Sequence, residues 1–361
     1  MPQFEAEIIA RELLALLERH FASPSVPVRL VLEGAGVHWH VEVRAEVRAC
    51  RVSAFRYYRQ EGTEYCLTLR EGSQKSANGR TWSLEEALRV LQDWLVEAVP
   101  LQDLYARFPF LDRKKRELEA LRRKVDAVLE RLGSPRRCLL REPLGDFYTL
   151  TVNGEDRACE LDALHGGSEA RCTFLHLGTR LAEGKASDVD GLSTAISGWL
   201  DSGVRVEPLQ REFPFIRIEP HAPAYEAGRY AEWRWDDAIA RARESQGVKG
   251  WAPLVPLLPL LERMASRPIF RRFFFFTSHD TLCFSRCPRH PFSTEGLPYI
   301  SPRFKGGPMA DLTEARYSAH CGERTLEGGP EEICQFVEGI LATEGDTTFY
   351  GSTRDAVDED D

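Results

Sequence analysis

The chain has 361 residues, and its 43% hydrophobic and 29% charged residues are typical of an ordinary globular protein. This length favours two or three domains, each large enough to bury its own core. The formal net charge of −9 argues against a protein that binds nucleic acid by general neutralisation of phosphates, and no segment approaches the roughly 20 apolar residues of a membrane span.

The N-terminal segment lacks the apolar run of a signal peptide, because Glu5, Glu7, Arg11 and Glu12 interrupt it. The nine cysteines are odd in number and scattered along the chain. Without an export signal, we expect reduced thiols in a cytoplasmic protein, most of them acting as small buried apolar residues.

The first third of the chain predicts a small antiparallel sheet followed by a helix. Four stretches alternate between apolar and polar residues, as half-buried strands do. A helix is expected to begin near Ser83, with Glu86 placed for a capping box. The predicted strands are residues 28–34, 37–45, 51–58 and 64–71.

Two segments match each other without a gap, from a Trp-Leu pair to a Phe-Pro-Phe triplet. They are residues 94–110 and 199–215, and chance does not produce so many identities at one offset. We interpret the match as an internal duplication. Each triplet should be extended, because a residue before proline avoids the helical region, and should clamp the helix end against the sheet. The other matching pairs are Trp94/Trp199, Leu95/Leu200, Val99/Val204 and Leu104/Leu209.

Two further units are predicted downstream, the third with a weaker match. Unit 2 has strands at 137–142, 147–152 and 171–177, with a helix from about Asp188; unit 3 has strands at 281–287 and 315–321, with a helix from about Pro330. The predicted fold class is α+β, with tandem related units, each a small antiparallel sheet closed by an amphipathic helix. The predicted segments are 1–110 (unit 1), 111–133 (charged connector helix), 134–220 (unit 2), 221–265 (helical and Pro-rich connector), 266–345 (unit 3) and 346–361 (acidic tail).

The two connectors differ in character. In the charged helix a leucine or valine recurs every seven residues from 111 to 132, which suits either a helix packed on its own domain or a short coiled-coil seam for self-association. In the second connector, three prolines at a spacing of three between 253 and 259 favour an extended polyproline segment.

Residues 271–290 combine four consecutive phenylalanines with Thr-Ser-His-Asp. Ser278, His279 and Asp280 offer the hydroxyl, imidazole and carboxylate of a catalytic triad. Adjacent residues of a strand point to opposite faces, so Ser278 and His279 would diverge. The favoured interpretation is a polar turn after the phenylalanine run, with that run acting as the clamp of unit 3.

The same region holds candidate metal ligands, Cys283, Cys287 and His290. On a strand, the two cysteines lie four residues apart, too far to hold one ion without a bend. Reduced core thiols are the simpler interpretation, and no cofactor is expected.

Two further histidine patterns allow more than one interpretation. His320 precedes Cys321 and could form a thiol–imidazole pair, although neighbours on a strand diverge. His38 and His40 share one face of a predicted strand, as metal ligands or a polar binding surface would, and as a solvent-facing pair also would.

Two clusters rich in aromatic residues and arginine are candidate binding surfaces, because protein interfaces favour these residue types. The first contains Tyr57, Tyr58 and Arg59, and the second contains Trp233 and Trp235. The two tryptophans fit equally well as core residues preceding a helix.

Common catalytic motifs are absent from the sequence. It contains no P-loop, no Gly-x-Gly-x-x-Gly after a strand, no His-Glu-x-x-His, no Gly-x-Ser-x-Gly elbow and no kinase signature. These absences remove the enzyme classes that local spacing reveals, and leave other enzymes open.

Residues 268–287 and 290–302 resemble the C-terminal segment of a bacterial family of unknown function whose members carry the label "natural product biosynthesis protein". That segment runs from a Phe/Pro-rich tip through Thr-Ser-His to an apolar strand and a Pro-rich loop. The resemblance extends from about residue 60 to residue 340, although Phe-Phe-Phe-Phe stands here where the family has Phe-Pro-Phe. It implies no catalytic residue and no substrate.

These patterns favour a non-catalytic cytoplasmic protein- or peptide-binding module, accessory to a bacterial natural-product pathway or acting as an immunity-type inhibitor. The acidic balance favours a basic partner, since complementary charge speeds association, and neither nucleic acid nor a membrane is expected as a partner. The alternative is an uncharacterised enzyme of hydrolase or transferase type, whose site in unit 3 would use Ser278, His279, Asp280 and His320.

Overall fold

The computed structural model of the chain describes residues 3–22, 26–57, 61–144, 147–246, 254–288, 292–303 and 315–343. Within these ranges the chain forms three antiparallel sheets of five, six and five strands, accompanied by helices. The predicted α+β fold class with repeated sheet units is thereby confirmed. None of the helices in these ranges has the length and apolar character needed to span a bilayer.

The chain forms two compact bodies. The N-terminal body comprises residues 1–123 and 140–149, and the C-terminal body comprises residues 124–139 and 150–361. The first sheet belongs to the N-terminal body, and the third sheet belongs to the C-terminal body. The second sheet also belongs to the C-terminal body, apart from the parts of its first two strands along the chain that fall within residues 140–149.

The N-terminal body is a five-stranded meander with helices before and after it. Neighbouring strands along the chain pair antiparallel, in the order β1-β2-β3-β4-β5. Its core joins Leu17 of the first helix, Val43 of the sheet and Trp94. The elements are α1 (Gln3–His20), β1 (Arg29–Ala35), β2 (His38–Ala45), β3 (Arg48–Phe55), β4 (Glu64–Glu71), β5 (Gln74–Thr81), α2 (Leu84–Leu91), a π-helical turn (Gln92–Val96) and α3 (Leu101–Arg107).

The second sheet repeats this plan after a charged helix. Its strand order is β11-β10-β9-β8-β7-β6, again antiparallel between neighbours. The elements are α4 (Arg113–Arg131), β6 (Cys138–Leu144), β7 (Phe147–Asn153), β8 (Arg157–Leu164), β9 (Glu169–His176), β10 (Thr179–Ala186), α5 (Val189–Leu200), α6 (Val206–Glu212) and β11 (Ile216–Ile218).

The third sheet follows four helices and is closed by a fifth. Its strands pair in chain order, and Trp235, Phe275 and Val337 meet in its core. The elements are α7 (Ala222–Glu226), α8 (Tyr230–Glu244), α9 (Leu258–Ala265), α10 (Pro268–Arg271), β12 (Phe274–Ser278), β13 (Thr281–Ser285), β14 (Tyr299–Arg303), β15 (Arg316–Cys321), β16 (Arg324–Gly328) and α11 (Pro330–Leu341).

The three closing helices begin where the sequence predicts. Ser83 caps α2 by accepting from the Glu86 N–H, and Asp188 caps α5 in the same way. The capping box at Ser83 is only half formed, because the Glu86 carboxylate accepts from the Thr81 hydroxyl instead. At α11, the Gly329 N–H donates to the Glu332 carboxylate at 2.8 Å, immediately before Pro330.

Strands β5 and β10 are polar and were not expected as strands. Each carries a glycine on which an aromatic side chain of the Phe-Pro-Phe triplet packs directly. A Cβ on Gly79 would lie 2.8 Å from the Phe110 ring, and a Cβ on Gly184 would lie 2.9 Å from the Phe215 ring. The triplets therefore do close their units, through contacts that local hydrophobic alternation does not reveal.

The clamp interpretation of the phenylalanine run is wrong. Residues Phe274–Ser278 form the edge strand β12, paired with β13. Phe273 and Phe275 are buried in the core of the third sheet, whereas Phe276 stacks on Phe292 with ring centroids 3.8 Å apart. Long aromatic side chains stabilise a strand whose two faces are both covered.

The connector predictions also change. Residues Val255–Leu257 form a 3₁₀ turn and Leu258–Ala265 form α9, so the proline-rich stretch is helical where it is described. Pro259 is tolerated because it occupies the first turn, where no N–H is required. The apolar stripe of residues 111–132, most of which lies on α4, is buried within the chain except for Leu132, which favours intramolecular packing over a coiled-coil seam.

Candidate functional site

The proposed triad residues lie at the β12–β13 hairpin turn. His279 has a φ of +54°, and both Ser278 and His279 are exposed. Within the described part of the chain, no hydrogen bond links Ser278, His279 and Asp280. The structure places them on a tight turn, where polar residues bond water and local backbone.

His320 lies elsewhere on the third sheet and contacts a different hydroxyl. Its Nε2 is 2.8 Å from Ser318 Oγ, its Nδ1 is 3.2 Å from Thr325 Oγ1, and its ring stacks on Tyr299. Ser318 is fully buried, so its hydroxyl is not open to a substrate, whereas His320 is partly exposed. Cys321 donates instead to the Gly296 carbonyl at 3.1 Å, diverging from His320 as expected.

The candidate metal ligands do not come together as an ion site in the described part of the chain. Cys283 is half-buried on β13, where burial raises the pKa of its thiol. Cys287 is buried beyond the strand, and its sulfur accepts from the Ser293 N–H. His290 lies outside the described residues. Across the described ranges, no group of three or more His, Cys, Asp or Glu residues is arranged to hold an ion.

The second aromatic cluster is largely internal. Trp235 is fully buried, and its indole N–H donates to the Phe273 carbonyl at 3.1 Å. It therefore belongs to the core and not to a binding surface. Trp233 is half-buried, stacks on Tyr230 and meets the His221 ring at a tilted angle.

The first aromatic cluster keeps one residue on the surface and gains another. Tyr57 and Trp82 are 42% and 49% exposed, with ring centroids 6.0 Å apart. Arg56 pairs with Glu12 at the edge of this cluster, and Tyr57 donates to Glu64 at 2.7 Å. We call Tyr57, Trp82 and Arg56 the Tyr57–Trp82 surface. Tyr58 and Arg59 lie outside the described residues.

Sequence reasoning missed Trp82. An aromatic residue just before a helix N-cap commonly packs on the first helical turn, so its exposure carries no local signal. The repeat does carry one, because the matching position in unit 2 is the exposed Ser187. A tryptophan is therefore not required there to close the unit.

Units 1 and 2 share an arginine–tryptophan clamp. Arg48 stacks over Trp94 at 3.9 Å, and its Nη1 donates to the Trp94 and Val99 carbonyls. In unit 2 the matching arginine stands over its tryptophan at the same distance and donates to the matching carbonyls. These contacts are Arg157 over Trp199 and Arg157 Nη1 to the carbonyls of Trp199 and Val204.

The two clamps differ in the residue that lies opposite the arginine on the neighbouring strand. Arg48 lies opposite Glu71, and their Nε and Oε1 atoms are 3.4 Å apart. Arg157 lies opposite His176. In the described part of the chain Arg157 has no carboxylate within ion-pair distance, and the Glu226 charge acts on it only from farther away, so Arg157 lacks the direct ion pair that Arg48 has.

The arginine of unit 2 borders a cavity. This cavity, which we call the unit 2 hollow, has a volume of ≈ 310 Å³ and combines two arginines, one histidine, one carboxylate and a tyrosine ring. Glu226 accepts from Arg205 Nε at 3.2 Å and from the Val206 N–H at 3.0 Å. The lining residues are Arg157, His176, Arg205, Tyr225, Glu226 and Gly228.

Burial sets the protonation state of His176. Loss of solvent, together with the nearby Arg157 charge, lowers the pKa of this imidazole. Burial also lowers the pKa of His221 and of His40. All three are therefore favoured as neutral groups at pH 7, and only the arginines bring positive charge to the hollow.

These lowered pKa values predict that the protein is less stable at pH 5.5 than at pH 7.5. The unfolded chain takes up these protons near pH 6.5, whereas the folded chain resists them until lower pH, so stability falls as the pH drops through that window. Urea denaturation at both pH values checks this. His176→Gln should reduce the difference, and an unchanged difference would show that His176 does not contribute.

A family of unknown function, DUF6193, matches residues 229–324, which span α8 to the start of β16. No curated protein and no solved structure matches the chain. The match covers helices α8 to α10 and strands β12 to β15, and excludes both the Tyr57–Trp82 surface and the unit 2 hollow.

Proposed function

We propose that this chain is a non-catalytic, cytoplasmic protein- or peptide-binding module. The observation that carries the proposal is the Tyr57–Trp82 surface, in which two large aromatic side chains are presented to solvent beside an arginine. Such residues dominate the binding energy of protein interfaces. The third-sheet histidines and hydroxyls give the enzyme alternative little support, because the hydroxyl that His320 contacts is buried and no hydrogen bond links Ser278, His279 and Asp280 in the described part of the chain.

The repeat gives this surface its significance. Units 1 and 2 close in the same way, yet the position of Trp82 is serine in unit 2. Exposing a tryptophan has no benefit for closure, and exposed aromatic patches mark interaction sites. The net charge of −9 favours a basic partner. We propose that the module is accessory to a bacterial natural-product pathway or acts as an immunity-type inhibitor.

The test is capture of partners from the native host with three forms of the purified chain. Trp82→Ser introduces the residue that unit 2 has at the matching position. Val47→Ser is the matched control, because it removes a different exposed apolar side chain of the same body. We expect the wild type and Val47→Ser to capture a protein that Trp82→Ser loses, with at least tenfold weaker binding of that purified protein. Equal capture by all three forms would contradict the proposal.

A further inference from the structure

We infer that the unit 2 hollow binds the carboxylate group of a ligand, with Arg157 as its principal cationic contact. The basis is the contrast between the two clamps, which share every arginine contact except the carboxylate. In unit 1, Glu71 supplies that carboxylate from within the chain. In unit 2 the same position in the strand pair is His176, and a cavity lies beside it.

Arg157 has N–H groups that donate no hydrogen bond among the described residues. Its Nη1 serves the Trp199 and Val204 carbonyls, and among the described residues neither its Nε nor its Nη2 donates a hydrogen bond. Stacking on Trp199 fixes the guanidinium plane. A planar, oriented guanidinium with free N–H groups is the preferred protein partner of a carboxylate.

The charges of the hollow suit a monoanion. Arg157 and Arg205 contribute two positive charges, Glu226 contributes one negative charge, and His176 is neutral at pH 7, so the lining carries a net charge of about +1. Glu226 repels an anion, but its oxygens are engaged by Arg205 and by the Val206 N–H. One carboxylate would bring the net charge of the lining to about zero, whereas a phosphate dianion would make it negative.

The hollow has room for a small group beyond the carboxylate. Its volume of ≈ 310 Å³ lies at the lower end of the range of small-ligand sites. The Tyr225 ring forms an apolar wall, and its hydroxyl is held by the His176 carbonyl at 3.0 Å. A peptide C-terminus or a small organic acid meets these requirements, and both present the same carboxylate chemistry.

The experiment uses saturation-transfer NMR to measure how tightly small probe molecules bind to the full chain at low salt. N-acetylglycine represents a peptide C-terminus, acetate represents a small acid, N-acetylglycinamide is the uncharged control, and inorganic phosphate is the dianion. We expect N-acetylglycine to bind about tenfold more tightly than its amide, the usual value of a charge-assisted hydrogen bond. Relative binding of acetate and N-acetylglycine identifies which source of carboxylate the hollow prefers.

The decisive variant is His176→Glu, which installs the carboxylate that unit 1 already has. We expect it to fold, to gain thermal stability and to lose N-acetylglycine binding about tenfold or more. Ser187→Glu, which adds the same charge at an exposed position outside the lining, should leave binding unchanged.

Four binding results would overturn the inference. They are equal binding of N-acetylglycine and its amide, absence of binding by both carboxylates, tighter binding of phosphate, and undiminished binding by His176→Glu. Failure of His176→Glu to fold would also overturn it, because a carboxylate would then not fit opposite Arg157. The inference is independent of the Tyr57–Trp82 surface, since neither Trp82→Ser nor its outcome bears on the hollow.

Discussion

Trp94→Ala and Trp199→Ala should each lower the free energy of unfolding by about 3–5 kcal/mol, the range for removing a large buried aromatic side chain. Both indoles are essentially inaccessible, at 1% and 0% exposure. Each lies at the end of a closing helix and beneath a clamp arginine, so truncation opens a cavity and also removes the surface on which the guanidinium stacks. Urea denaturation followed by circular dichroism measures the loss.

Trp82→Ala is the matched control, because this tryptophan is 49% exposed and should change stability by less than about 1 kcal/mol. A loss below about 1 kcal/mol for Trp94 or Trp199 would contradict their role in closing the units. Trp→Phe sharpens the comparison. Trp94 donates to the Ala49 carbonyl at 3.1 Å, whereas the Trp199 N–H has no partner among the described residues, so Trp94→Phe should cost about 1 kcal/mol more.

Arg48→Met and Arg157→Met should each destabilise the fold by about 2–4 kcal/mol. Methionine keeps an apolar stem of similar length, yet it leaves two backbone carbonyls without their charged donor and removes the cation–π contact. The carbonyls affected are those of Trp94 and Val99 in unit 1 and of Trp199 and Val204 in unit 2. Chemical denaturation of each variant against the wild type measures the effect.

The two arginine variants should also differ in salt dependence. Arg48 faces Glu71, so Arg48→Met removes an ion pair and leaves a carboxylate behind, whereas Arg157→Met removes a charge with no ion-pair partner in the described chain. Adding salt should therefore narrow the stability gap between wild type and Arg48→Met more than the gap for Arg157→Met. Identical salt responses would argue against the contrast on which the unit 2 hollow depends.

Local patterns were sufficient for the fold class and for the ends of the closing helices. Alternation located four of the five strands of unit 1, and N-cap chemistry located Ser83, Asp188 and Gly329, because both depend on residues close together in the chain. Strands β5 and β10 were not predicted, because each contains a glycine on which an aromatic ring some thirty residues later packs, and a local pattern does not show this contact. The phenylalanine run was misassigned for the related reason that its two faces are covered by different distant elements.

The candidate sites show the same division. Sequence alone singled out Tyr57, but it could not distinguish the exposed Trp82 from the buried Trp235, because exposure depends on which distant side chains cover an indole. It also could not identify Arg157, which resembles any other arginine until the ladder places it opposite His176. The repeated plan of the chain was readable from residue order, since periodicity and capping are local. Which repeat keeps its own carboxylate, and which leaves an arginine open beside a cavity, was decided only by tertiary pairing, because an ion pair requires groups that are close in space and not in sequence.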